Sequence, residues 1–132
     1  MLVNRSMPES PVIPVLAYPD MNAAVEWLCA AFGFTVRVRI FDHRVQLNTG
    51  EGGAVVVVAG DAASADSVMI RVANVDEHCG RARRHGAKVI GEPTTYPYGE
   101  RQYSAEDLAG RRWTFSQSMV DVDPRDWGGT LS

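Results

Sequence analysis

The sequence predicts an α+β fold made of two βαβββ modules in tandem. Three observations predict it. Short segments alternate apolar and polar residues, two segments carry helical spacing between a capping residue and a glycine, and the second half repeats the element order of the first. A chain of 132 residues suits one domain (1–132) and can bury a core of its own. With 45% hydrophobic and 22% charged residues it has the balance of an ordinary globular protein. A formal net charge of −3 argues against broad attraction to nucleic acid or an anionic membrane surface. No run reaches the ~20 apolar residues needed to span a bilayer, and no signal-peptide core precedes the first strand. Two cysteines, Cys29 and Cys79, fall in the helical segments and suggest no disulfide framework, so a cytoplasmic location is expected.

In chain order, Met1 to Ser10 read as a loose lead-in. Val12 to Tyr18 is an apolar strand, and Asp20 is placed to cap the helix that follows. That helix runs from Asn22 to Phe32, its apolar stripe formed by Met21, Ala24, Val25, Leu28, Ala31 and Phe32, and Gly33 stops it. Phe34 to Phe41, Val45 to Thr49 and Ala54 to Ala59 are strands, the last two split by the turn Gly50 to Gly53. An Ala/Ser/Asp linker, Gly60 to Asp66, divides the first module (12–59) from the second (67–117). Val68 to Ala73 is a strand. Asn74 caps a helix reaching about His85, with Glu77 three residues on as in a capping box, and Gly86 ends it. Lys88 to Gly91, Gly99 to Ala105 and Arg111 to Gln117 complete the second module, and residues 118–132 form a tail. The runs Pro14 to Asp20 and Ile70 to Asp76 each carry a strand into an Asp at a helix start, the residue-level trace of a duplication.

That order, together with the stretch Tyr98 to Gln117, resembles the glyoxalase / bleomycin-resistance / extradiol-dioxygenase superfamily (the vicinal-oxygen-chelate superfamily), over Val12 to Gln117. The stretch is similar to the family's penultimate strand, acidic turn and last strand, although only the outer residues of the turn Asp107 to Gly110 match. The tail Asp123 to Gly128 also resembles that of bleomycin-resistance-like members. The resemblance implies two curled sheets whose inner faces form a cup, and metal ligands at defined positions. Seven residues before the helix-start aspartates stand Ile13 and Met69, four after the turn glycine stands Thr114, and the remaining ligand would fall within Ala54 to Ala59. Isoleucine has no lone pair, a thioether suits hard divalent ions poorly, a lone hydroxyl binds weakly, and Ala54 to Ala59 has no donor side chain. The expectation is a member without the family metal site and without a cofactor.

Strand alternation carries the facing outward from those positions. Ile13, Val15 and Ala17 should give one half of the cup an apolar lining. The other half should present Arg71, Glu100, Gln102, Ser104, Arg112 and Thr114, with Met69, Ala73 and Ser116 on the same face. A bulge in the strand from Gly99 would exchange Gln102 and Ser104 for Arg101 and Tyr103. Arg71 and Arg112 pair with Glu100, bind a ligand carboxylate or phosphate, or lie exposed at the surface. Tyr96 to Gly99 forms an aromatic loop, either a flap with Tyr98 as the binding ring or ordinary surface packing. Trp113 is expected in the core and Trp27 on a helix face. His43, His78 and His85 are expected at the surface, the last two spaced about two helical turns apart and so too far for one ion. The basic run Arg81 to Arg84 reads as a solvated face. No nucleophile elbow, dinucleotide fingerprint or phosphate loop is present.

Three functions fit these residues. The first is metal-free binding or sequestration of a small aromatic or drug-like organic molecule by a homodimer. The second is an isomerase or lyase acting on a small acidic substrate with Glu100 or His43 as base. The third is a scaffold whose site has decayed.

Overall fold

In the computed structural model, which describes residues 4–61 and 67–131, the two modules form two four-stranded mixed sheets. The first holds β1 (Val15–Tyr18), α1 (Met21–Phe32), β2 (Thr35–Ile40), β3 (Arg44–Gly50) and β4 (Gly53–Ala59). The second holds β5 (Ser67–Arg71), α2 (Val75–Arg84), β6 (Lys88–Thr95), β7 (Glu100–Glu106) and β8 (Arg112–Ser118). A 3-10 turn, Pro124–Trp127, lies in the tail. The strand orders are β1-β4-β3-β2 and β5-β8-β7-β6, the same topology twice, and the sheets do not close on one another. Of the linker Gly60 to Asp66, all beyond Asp61 lies outside the described residues.

The helix signals act as expected. Asp20 Oδ1 accepts from the Ala23 amide at 3.0 Å, and Asn74 Oδ1 accepts from that of Glu77 at 3.1 Å. Gly33 closes α1 with φ 77°, a left-handed value that glycine adopts without steric cost.

The two largest differences in strand bounds both involve prolines. The first strand starts at Val15 rather than Val12, because Pro11 and Pro14 flank Val12 and Ile13 and Pro14 has no amide to donate. The Pro14 carbonyl still accepts from Val56. Conversely β6 continues through Pro93 to Thr95. It is an edge strand, where a missing donor is tolerated, and its register shifts between Val89 and Gly91 and again before Thr94.

One apolar cluster runs through both modules. Phe32 at the end of α1 meets Trp113 and Phe115 of β8 edge-on, at ring separations of 5.6 and 4.9 Å. Trp113 is fully buried, as expected, and Trp27 packs on Phe32 while its Nε1 donates to the His85 carbonyl at 2.9 Å. Polar ties join the modules too. Tyr18 Oη donates to Asp107 Oδ2 at 2.6 Å, Trp113 Nε1 donates to the same oxygen at 3.0 Å, and Oδ1 accepts from the amides of Ala109 and Arg111. Arg111 lies over the Tyr18 ring and donates to the Ala17 carbonyl. The Asp107 turn is therefore a joint between the halves as well as a hairpin.

His78 corrects the expectation of three surface histidines. It is half-buried on α2, with Nε2 3.0 Å from the Phe32 carbonyl and Nδ1 2.5 Å from Tyr103 Oη, and its ring lies 4.1 Å from that of Phe115. A carbonyl only accepts, so Nε2 carries the proton and Tyr103 donates to Nδ1. Burial holds the imidazole pKa down to about 4. Arg81 is likewise more than a solvated charge: its Nε donates to the Ala30 carbonyl at 2.9 Å, satisfying an orphan acceptor at the end of α1.

Candidate functional site

Each sheet has one face in the common core and one facing away from it. On the second sheet the outer face is set by an unbroken register between β7 and β8, so no bulge reverses its facing. Rows of residues cross three strands. Glu106 pairs with Arg112 and that with Ser67, Ser104 with Thr114 and Met69, and Gln102 with Ser116 and Arg71. Glu100 opposite Ser118 makes a fourth row. The residues between them, Tyr103, Ala105, Trp113 and Phe115, are buried in the core. Arg71, Glu100, Gln102, Ser104, Arg112 and Thr114 thus share one surface.

The middle of that surface is knit by side-chain hydrogen bonds. Tyr98 Oη donates to Gln102 Oε1 at 3.1 Å, and Gln102 Nε2 donates to Ser116 Oγ at 3.1 Å. Ser116 Oγ in turn donates to Glu100 Oε1 at 2.7 Å, while Ser104 and Thr114 share a 2.8 Å hydroxyl contact. The hydroxyls of Ser116 and Ser118 hold the Glu100 carboxyl below its usual range, with Arg71 adding a smaller push in the same direction. Glu100 is therefore an ionised, engaged acceptor, poorly suited to take a proton from a substrate.

Arg71 and Arg112 do not form ion pairs with Glu100; among the described residues the ion pairs lie elsewhere, and both guanidinium groups are exposed. Their rows are two apart, about 14 Å at ~3.4 Å per residue. Arg71 shares the row of Gln102 and Ser116, and Arg112 lies on the far side of the Ser104–Thr114 row. Met69 and Arg71 also line a cleft toward the first module, with Val12, Pro14, Glu51 and Val68.

Tyr98 belongs to an aromatic group. Its ring is parallel to that of Tyr96 (5.3 Å, 3°) and lies 4.8 Å from Trp127. The tail reaches this position because the Met119 and Val120 amides both donate to the Gly99 carbonyl. Gly99 is required there: its φ is 86°, and a Cβ would lie 2.3 Å from the Val120 carbonyl oxygen. Tyr96 and Trp127 stay 39% and 50% exposed, leaving ring area for a ligand. Nothing periodic marks Trp127, and no residue pattern announces that the tail returns to Tyr98.

The first sheet differs. Val15 is exposed on its outer face, whereas Gln46 and Val56, which alternate with the core residues Val45, Leu47, Val55 and Val57, are only 2% exposed. The lead-in covers them: Gln46 Nε2 donates to the Ser6 carbonyl at 2.8 Å, Arg37 Nη2 donates to that of Arg5 at 3.0 Å, and Pro8 is buried. The reading of these residues as loose is corrected.

The residues at the expected metal positions do not fit a metal. Ile13 has no donor atom, Met69 offers an exposed thioether, and the Thr114 hydroxyl is engaged with Ser104. Among the described residues no three His, Cys, Asp or Glu side chains converge, and no helix is long and apolar enough to cross a membrane. His43 lies in the β2–β3 turn stacked on Phe41, on the other sheet from Glu100.

A duplicated βαβββ unit with a side-chain-lined outer sheet face defines a class of small proteins that build ligand or metal sites on paired modules. Residues 12–115 match the family model of the Glyoxalase/Bleomycin resistance protein/Dioxygenase superfamily, and the chain belongs to that superfamily. It is similar to TioX from Micromonospora sp. ML1 at 32% identity and a TM-score of 0.72, over 86% of this chain and all of that one. A glyoxalase/bleomycin resistance protein/dioxygenase from Nocardioides superposes at 0.68 with 16% identity, over 93% of this chain and 89% of its own. A family enzyme from Burkholderia phytofirmans PsJN does so at 0.68 with 17% identity, over 80% and 96%. At those identities the last two bear on fold alone. No curated protein matches the chain.

Proposed function

We propose that the protein binds a small, planar organic molecule without a metal, on the outer face of the second sheet. One observation carries the reading. A hydrogen-bonded polar network, Tyr98–Gln102–Ser116–Glu100, lies beside an exposed aromatic group and shares its sheet face with Arg71 and Arg112, neither of which forms an ion pair among the described residues. Rings stacking on Trp127 and Tyr98 would supply most of the affinity, at roughly 25 cal/mol per Å² of apolar area buried. Arg71 or Arg112 would orient an acidic group. The closed hydrogen-bond network favours recognition over turnover, since the carboxylate best placed to act as a base is already committed to two hydroxyls.

A single sheet offers a shallow surface, so we further propose a homodimer in which a second copy supplies the opposite wall. The test is a screen of aromatic acids and planar antibiotics against protein stripped with chelator, read by Trp fluorescence, with sedimentation for the assembly. Saturable binding that Arg71→Ala weakens at least tenfold supports the reading. Binding or turnover only after a divalent metal is restored contradicts it.

A further inference from the structure

The two ends of the chain are held in different ways. The N-terminal strap, residues 4–10, is bonded to its sheet through Arg37 and Gln46, with Pro8 buried. The C-terminal tail has no such bonds beyond its root. There the Met119 and Val120 amides donate to the Gly99 carbonyl. Among the described residues, no hydrogen bond or ion pair joins residues 121–131 to the rest of the chain. Within itself the tail is fixed. Asp123 accepts from the Arg125 amide at 3.0 Å and pairs with its guanidinium, and the Asp126 and Gly129 amides donate to the Asp123 and Pro124 carbonyls. Gly129 completes the turn where a side chain could not, since a Cβ would lie 2.6 Å from the Pro124 oxygen. Residues 123–129 therefore form a small self-bonded knob, and Asp121 and Val122 are its tether.

The knob meets the body through Trp127, whose ring lies 4.8 Å from that of Tyr98, and the tether meets it through a Val122 methyl beside Gly99. Val120 and Leu131 are exposed and fasten nothing. Tyr98 stands parallel to Tyr96 at 3°, whereas Trp127 meets it at 41°, a loose contact that leaves half of the tryptophan exposed. A planar ring slid between Tyr98 and Trp127 would touch each at about 3.5 Å and set them about 7 Å apart, a movement of about 2 Å. The tether can supply it with no hydrogen bond to break. The geometry points to a lid: the knob swings on Asp121 and Val122, opens the Tyr98 face to an incoming ring, and closes with Trp127 over it. The lid rests on the ligand reading of the second face and adds what governs it, since Tyr98 also donates to Gln102 at the head of the polar network. Entry waits for the opening, and the closed Trp127 slows release.

The probe is 2-naphthoate, mixed with chelator-treated protein by stopped flow and followed by its own fluorescence. The full chain is compared with a chain ending at Ser118 and with full-length Trp127→Ala. In the full chain the observed rate should level off with rising probe, at a ceiling set by the opening. Both variants should lose the ceiling and release the probe at least tenfold faster. A linear rise in the full chain, with release in both variants within twofold of it, overturns the lid. Should the shortened chain fail to fold, Trp127→Ala decides, because it leaves the tail's own hydrogen bonds in place. NMR relaxation dispersion on the ligand-free protein separates the lid from the ligand reading. Microsecond-to-millisecond exchange is expected at the Trp127 indole and the amides of residues 123–129, at one shared rate, and is lost from those amides in Trp127→Ala. Flat profiles along the tail overturn the lid whether or not the probe binds. Shared exchange with no probe bound by any of the three chains upholds the hinged tail and overturns the ligand reading instead.

Discussion

Replacing Asp107 by alanine should cost more stability than most single changes in this chain. The carboxylate is 7% exposed and accepts four hydrogen bonds, two from Tyr18 Oη and Trp113 Nε1 and two from turn amides. Tyr18 and Trp113 are 1% and 0% exposed, so water cannot replace the lost acceptor. Leaving a buried donor unpaired costs about 1–3 kcal/mol, so the two together give about 2–6 kcal/mol. The turn amides can turn toward solvent and add less. For a domain of this size that is a fall in Tm of roughly 10–20 °C. Urea unfolding followed by Trp fluorescence gives the free energy, and Tyr18→Phe supplies the control. Alone, Tyr18→Phe should cost about 1–2 kcal/mol; in the Asp107→Ala background it should cost nothing and recover part of the loss, since it removes a donor left unpaired. A loss below 1 kcal/mol for Asp107→Ala, or strictly additive costs, would refute the view that this turn joins the modules.

Three further outcomes follow from the geometry. His78 has a folded pKa of about 4 against an ordinary value near 6.5, so below pH 6.5 the unfolded chain binds the extra proton first. Stability should fall as pH drops from 6.5 to 4, by up to about 3 kcal/mol, and fall distinctly less in His78→Phe, where only the carboxylates respond near the acid end. A pH series of urea titrations checks it. Gly99→Ala should displace the tail, because its Cβ meets the Val120 carbonyl, and should redden and quench Trp127 emission while costing about 1–3 kcal/mol. Glu100→Gln should leave probe binding on the second face within about fivefold, since the amide oxygen still accepts from Ser116, whereas a general base would lose turnover by about 10²–10⁴.

The order of elements was legible because its signals are local. Asp20, Gly33 and Asn74 act through their own neighbours, and alternation along β7 and β8 needs only an unbroken register to place Gln102, Ser104 and Thr114 together. Signals between distant segments were not legible. The strap bonds through the carbonyls of Arg5 and Ser6, which every residue has, so no side-chain pattern announces it. Gln46 sits between Val45 and Leu47 where alternation reads it as a solvent-facing residue, and it is buried only because the chain returns over it. Trp127 finds Tyr98 through the two amides bound to Gly99. His78 did leave a trace. Val75, Cys79 and Ala82 form the buried stripe of α2, and position 78 falls on the same face at helical spacing. The charges of the two arginines were legible, but their separation by two rows of the sheet needed the register.

The central claim, metal-free recognition on the second sheet, is tested most directly by mapping amide and indole NMR shifts on chelator-treated protein titrated with 2-naphthoate. The account predicts saturable shifts at the Trp127 indole and at Tyr98, Gln102 and Arg71, with Gln46 unmoved beneath its strap. Shifts that appear only when a divalent metal is added, or that leave Trp127 and Gln102 unperturbed at saturation, would contradict it.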